Sequence, residues 1–306
     1  MTQTKAWIQA FRLRTLPLAL ASVGMGSFLA AFDRLFSWPV MWLSILTTLF
    51  LQILSNLAND YGDSIHGADH SGRTGPARAV QSGILSLAAM KKAIILFGAL
   101  SFFSGLALVS IAVGQSITIF MLFILLGCLA IAAAITYTSG DRPYGYAGLG
   151  DIAVLIFFGL LGVAGSYYLH TGSIHLNIWL PALSVGLLST GVLNVNNIRD
   201  IESDKQAGKK SIPVRIGREN AIIYHYFLLI LAIVAASAFT WLNYRHPVQF
   251  IYLLSLPLFW TNAKAVKHKS DAKSLDPFLK QLALSTLLFI LLFGVGLIIS
   301  TNLHQL

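Results

Sequence analysis

NLANDYGDSIHGAD, residues Asn56 to Asp69, follows a long apolar run and carries Asp60, Asp63 and Asp69 to its end. At helical spacing Asn56, Asn59, Asp60 and Asp63 stand at i, i+3, i+4 and i+7, which is one helix face. Gly62 and Gly67 are expected to weaken that helix, leaving Asp69 in the loop beyond it. A second stretch of this kind, NVNNIRDIESDKQAGKKSIPVRIG from Asn194 to Gly217, follows a later apolar run. There Asn196, Asp200 and Asp204 fall at i, i+4 and i+8, again one face, and Gly208 is expected to close the helix. The rest of the chain reads as a scaffold that brings the two faces together.

That scaffold belongs in a membrane. The chain is 56% hydrophobic and 11% charged, whereas a soluble domain carries roughly 25% charged residues. Apolar segments lie at about 16–32, 38–57, 91–113, 116–137, 151–170, 178–198, 221–242, 248–263 and 281–300. A spanning helix needs about 20 residues. The expected fold is therefore all-α: a polytopic membrane protein of about nine transmembrane helices, one domain over residues 1–306. Barrel strands would alternate in polarity, and these runs do not. The single cysteine, Cys128, excludes an intrachain disulfide framework and a multi-cysteine metal site.

Charge is distributed asymmetrically. The N-terminus and the loops after spans 2, 4, 6 and 8 carry all but Arg34 and Arg245 of the 21 lysines and arginines, and all but Asp33 of the 12 acidic residues. Positive charge marks the cytoplasmic side, so the N-terminus is expected inside and the TNLHQL tail outside. The net charge of +9 then reads as a topology signal, with no nucleic-acid partner. Lys5, Arg12 and Arg14 before an apolar stretch have the outline of a signal peptide, but no clear small-residue cleavage site follows, and the segment is read as a retained first helix. The acidic stretches follow spans 2 and 6. That spacing suggests a loose internal repeat with a site at the interface of its halves.

Like charges at i,i+4 destabilise a helix, and carboxylates beside hydrocarbon cost several kcal/mol each. A hard divalent cation compensates both; Mg²⁺ takes one or two carboxylates, waters and phosphate oxygens. Arg73 and Arg78 follow the first stretch, and Lys209, Lys210 and Arg215 the second, placed to meet the remaining charge of a bridged diphosphate. The plainer alternatives are solvated loop charge and topology charge, and a cation or proton path is a third. The loop TSGDRPYGYAGLGD, Thr138 to Asp151, holds glycines 145, 148 and 150, a weak signal for a phosphate cradle. Its Arg142, Tyr144 and Tyr146 suit a planar anionic aromatic substrate, or else an interfacial aromatic belt. GKKS at 208–211 is no P-loop, since Ser203 stands where the first glycine belongs. His66 reads most simply as a solvated loop residue.

NDYGDSIHGAD, GPARAVQSG, DRPYGYAGLGD and NNIRDIESDKQAGKKSIPVRIG, with RTLPLALASV at 14–23, cover the chain end to end. Together they resemble the UbiA superfamily of intramembrane aromatic prenyltransferases, and within it the branch acting on 1,4-dihydroxy-2-naphthoate. Of the superfamily pattern Asn-x-x-x-Asp-x-x-x-Asp, Asn59 and Asp63 match. Gly67 stands at the third position and Asp69 two residues later, a shift the naphthoate branch shares. The second motif matches at Asn196, Asp200 and Asp204. The resemblance implies transfer of a polyprenyl group from polyprenyl diphosphate to 1,4-dihydroxy-2-naphthoate, with loss of CO₂ and diphosphate, giving demethylmenaquinol in menaquinone biosynthesis. It implies Mg²⁺ on Asn59, Asp60, Asp63, Asp200 and Asp204, and catalytic roles for these aspartates and Asp69, with Asp60 or Asp69 as base. It implies substrate binding by Arg78, Arg142, Tyr144, Asn196, Asn197 and Lys209. The expected location is a bacterial inner membrane, multi-pass in the lipid bilayer, with the site facing the cytoplasm. Other readings are a different acceptor (4-hydroxybenzoate or homogentisate), a phytyl donor, or a cation-coupled transporter. Carboxylates at one membrane face rather than mid-span count against the transporter.

Overall fold

The computed structural model describes residues 2–65 and 83–303. Among the described residues every regular element is helical: α1 Gln3–Ala10, α2 Leu16–Phe32, α3 Trp38–Ile65, α4 Leu87–Ala112, α5 Ile117–Thr136, α6 Gly150–Val154, α7 Ser166–Thr171, α8 Trp179–Arg199, α9 Ile201–Gln206, α10 Ile212–Leu242, α11 Leu256–His268 and α12 Ala272–Leu303. A wide π-helical stretch, Leu155–Gly165, joins α6 to α7 without a break.

Eight helical segments among the described residues are long and apolar enough to cross a membrane, and they match the expected spans except the one at 248–263. That stretch is a 3₁₀ segment, Pro247–Ser255, followed by the 13-residue α11. Pro247 and Pro257 remove amide donors, while Gln249, Asn262 and Lys264 dilute its apolar character.

Helix α8 is the most buried of the eight. Its small residues Ser184, Gly186, Ser189, Thr190 and Gly191 are buried and let neighbouring backbones approach closely. It packs against α10, α12, α2 and the π-helical stretch. Helix α5 is the opposite case: none of its residues is buried, and it leans on α3 and α4, so its outer face meets lipid. The two motif-bearing helices each lie along a long neighbour, α3 along α4 and α8 along α10. Trp38, Trp42, Trp179 and Trp241 are exposed. They sit at the helix ends opposite the acidic stretches, as an interfacial aromatic belt does.

Candidate active site

The site starts at the N-terminal segment. Between α1 and α2 the chain turns through Arg12, whose φ of 47° is left-handed. The polar face of α3 pins this turn: Asn56 Nδ2 donates to the Phe11 carbonyl at 2.9 Å and to Thr15 Oγ1 at 3.0 Å. Arg12 is thereby delivered onto Asp60, with which it forms an ion pair.

Helix α3 does not weaken at Gly62 as expected; it runs through to Ile65. Glycine is required there by close approach, since a Cβ would lie 2.5 Å from the Thr138 carbonyl oxygen. Thr138 Oγ1 donates to the Ala58 carbonyl at 3.0 Å and to Asn59 Oδ1 at 3.3 Å. The loop after α5 is thus fastened to the first motif, and its Tyr146 hydroxyl donates to Asp63 Oδ1 at 2.8 Å.

In the second motif α8 ends at Arg199, yet the amide ladder continues through Asp200 into α9: Asp200 N–H to Asn196 O at 3.0 Å, Asp204 N–H to Asp200 O at 2.8 Å. Gly208 closes α9 in the left-handed region, as predicted. The Gly208 and Lys209 amides bond the Lys205 and Asp204 carbonyls at 3.2 and 2.8 Å, a Schellman closure. This turn sends the Lys209 ammonium back between the motifs. It lies 3.1 Å from Asp63 Oδ1, 3.8 Å from Asp204 Oδ1 and 4.8 Å from the centre of the Tyr146 ring.

Asp60 and Asp63 are each only 2% exposed, which disposes of the solvated-loop reading. Burial beside Asp200 and Asp63 pushes the Asp204 carboxyl up to about 6, with Lys209 pulling the other way. Arg199 grips Asp200 with both arms, Nε to Oδ1 at 2.7 Å and an NH2 to Oδ2 at 2.6 Å, and also donates to Asn196 Oδ1 at 2.9 Å.

One cavity of about 700 Å³ joins these groups. Asn56, Asn59, Asp60, Asp63, Tyr144, Asn196, Asn197, Asp200, Asp204 and Lys209 line its polar end; Leu108, Val109, Phe123, Phe157 and Leu161 are among its apolar walls. Arg142 is not brought in: it is exposed on the loop and absent from the lining. The Tyr144 hydroxyl is committed to the Ala133 carbonyl at 2.9 Å. Arg215 and Lys210 fasten two loops together rather than face the cavity, Arg215 through the carbonyls of Lys210 and Ala147 at 2.8 and 2.5 Å, and Lys210 through its amide on Tyr146 O at 2.9 Å. Glycines 145, 148 and 150 accommodate Tyr137, Lys210 and Arg215 in this junction, and all three also line the cavity. Asp69 and Arg78, with His66 and Arg73, lie outside the described residues.

All five expected metal ligands line this one cavity. Among the described residues no group of three histidine, cysteine, aspartate or glutamate side chains stands at metal-ligand spacing; Asp60 pairs with Arg12 and Asp200 with Arg199. Asp63 and Asp204, one from each motif, meet around the Lys209 ammonium. Such an oxygen-only pair fits a hard cation that completes its shell with waters and phosphate oxygens. Sequence reasoning missed Arg12, Arg199, Asp276 and the buried Asp151, which accepts from the Tyr224 hydroxyl at 3.1 Å. Arg199 was legible as the i+3 neighbour of Asn196; the others carry no local signal.

Comparison with known proteins agrees with this architecture. The chain is 46% identical over 303 residues to a 1,4-dihydroxy-2-naphthoate octaprenyltransferase of Haemophilus influenzae, covering 96% of each chain. It is 43% identical over 300 residues to the Escherichia coli protein of the same name, covering 98% of this chain and 97% of that one. Among solved structures it superposes on a UbiA homolog from Aeropyrum pernix K1 with a TM-score of 0.70 at 19% identity, covering 94% and 98% of the two chains. On a UbiA homolog from Archaeoglobus fulgidus bound to DMAPP and Mg²⁺ the TM-score is 0.62 at 19% identity, covering 96% and 99%. The UbiA prenyltransferase family pattern matches residues 18–287. With two Asn/Asp helix faces meeting at one end of a largely apolar cavity, and with that match spanning both, this chain belongs to the UbiA prenyltransferase family.

Proposed function

We propose that the chain is a single membrane-embedded enzyme that transfers a polyprenyl group from its diphosphate to 1,4-dihydroxy-2-naphthoate, releasing diphosphate and CO₂ and forming demethylmenaquinol. The observation that carries this reading is the cavity itself. Its polar end presents Asp63, Asp204 and Lys209, and the rest of its wall is mostly apolar, with scattered serine and threonine hydroxyls. A diphosphate with a long apolar tail has that same division. The names of the relatives in H. influenzae and E. coli supply the acceptor.

Asp63 and Asp204 would hold a divalent cation, Mg²⁺ by analogy with the A. fulgidus homolog, and when bound it neutralises the departing diphosphate. Lys209, already between the two carboxylates, turns its ammonium to the same phosphates. Tyr146 holds Asp63 in place through its hydroxyl. The apolar wall keeps water from the allylic carbon. There the carbon–oxygen bond breaks with its electrons on the diphosphate, and the electron-rich ring forms the new carbon–carbon bond. Loss of the ring carboxylate as CO₂ returns the electron pair and restores aromaticity. Asn197, buried and on the cavity wall beside the second motif, would bind substrate through its side-chain amide. The preponderance of Lys and Arg at the acidic end, with Trp38, Trp42, Trp179 and Trp241 at the other, supports a cytoplasmic site in a bacterial inner membrane.

The test is an assay of the purified protein with Mg²⁺, a polyprenyl diphosphate and dihydroxynaphthoate, following CO₂ and a lipid-soluble quinol. Product that vanishes with EDTA and returns with Mg²⁺ is expected. Turnover with 4-hydroxybenzoate in its place would keep the mechanism and discard the acceptor; no turnover with either would discard the reading.

A further inference from the structure

A run of alternating charge leads out of the cavity wall, where Arg199 and Arg14 are part of the lining. Arg199 NH1 donates to Asp276 Oδ1 at 2.5 Å, and Asp276 in turn accepts from Arg14 NH1 at 3.1 and 3.2 Å. Asp276 sits in the first turns of α12, is not part of the cavity lining, and is about one-third exposed, whereas the Arg199 side chain is 2% exposed.

A guanidinium does not lose its proton in a protein, so a buried one needs a counter-charge at every moment. In this structure Arg199 has two: Asp200, gripped through both oxygens, and Asp276. A carboxylate held at both oxygens has its charge spent on the arginine. For Asp200 to contribute to a cation shared with Asp63 and Asp204, it must loosen that grip, and Arg199 must stay neutralised. We propose that Asp276 is a positioning residue for the second motif: it is the alternative counter-ion that holds Arg199 when Asp200 turns to the cation. Arg14, donating to both oxygens of Asp276, fixes that carboxylate in its orientation. The inference rests on the cation reading above and extends it to Asp200, which lines the same cavity as Asp63 and Asp204.

The test uses full-length protein in detergent and Mn²⁺ as the probe, with free Mn²⁺ measured by electron paramagnetic resonance in the presence of diphosphate. Asp276→Asn should weaken Mn²⁺ binding about tenfold to a hundredfold, the range of outer-shell effects on metal sites. In an Arg199→Gln background the arginine no longer needs a second partner, and adding Asp276→Asn should change Mn²⁺ affinity by less than about threefold. Unchanged binding by Asp276→Asn overturns the proposal, and so does an equal loss in both backgrounds, which is what a mere strut between α12 and α8 would give. If Asp276→Asn alone does not survive purification, the Arg199→Gln background decides: a further loss of more than about threefold there overturns it. A parent protein that binds no Mn²⁺ refutes the cation reading itself, a distinguishable result.

Discussion

Gly62→Ala adds one methyl group at the point where α3 meets the loop after α5. The new Cβ would lie 2.5 Å from the Thr138 carbonyl oxygen and 2.6 Å from its carbon, both backbone atoms. Ordinary contact begins at 3.4 Å, so the two backbones must part by about 0.9 Å. The same loop carries Tyr146, whose hydroxyl stands 2.8 Å from Asp63. A retreat of that size takes this bond beyond hydrogen-bonding range and shifts the acid that faces Asp204. Overpacking of this kind costs about 1–3 kcal/mol, and a misplacement near 1 Å costs about a hundredfold in rate. The assay is prenyl-transfer turnover in detergent alongside thermal unfolding. Gly98→Ala is the control: it lies within α4 with nothing inside 4 Å of its would-be Cβ, and should leave activity intact and raise stability by about 0.5–1 kcal/mol. Full turnover and an unchanged melting temperature for Gly62→Ala would refute the close-approach argument and, with it, the placement of Tyr146 on Asp63.

Asp63→Asn should cut turnover by about a hundredfold or more while the protein stays monodisperse, because it leaves Lys209 and any cation with one acid; near-normal kcat would remove the assignment. Arg142→Ala should leave kcat and the KM for the aromatic acceptor within about twofold of the parent, because Arg142 is exposed and away from the cavity; a large rise in that KM would restore the role expected from sequence. The Asp204 carboxyl, raised to about 6 by burial beside two other acids, sets proton against cation. The Mg²⁺ concentration for half-maximal activity should climb about tenfold per pH unit below 6 and level off above 7, and a flat profile would contradict it. Without cation the sign for stability runs the other way. A raised carboxyl favours the folded state fully below its ordinary value near 3.8 and loses that contribution as pH rises through 6, so Asp204→Asn should flatten that loss in a melting series.

Local order determined much of this protein. Uninterrupted apolar runs dictated membrane helices, because a chain in lipid must satisfy its amides internally. The i, i+4 spacing placed Asn59 with Asp63, and Asn196 with Asp200 and Asp204, on common faces, and all five line one cavity. The close of α9 at Gly208 was legible for the same reason: it depends on the conformation of neighbouring residues alone. Only the tertiary structure decided how the charges are shared. Arg12 reaches Asp60 across 48 residues, Arg199 reaches Asp276 across 77, and Arg14 reaches Asp276 across 262. Tyr146, rather than Arg142, meets the acids, because Thr138 and Gly62 fix which side of the loop turns inward. A periodicity states which residues share a face. Which face it meets, and at what height along the helix, is set by crossing angles and side-chain volumes summed over the whole bundle, and no stretch of sequence contains that sum.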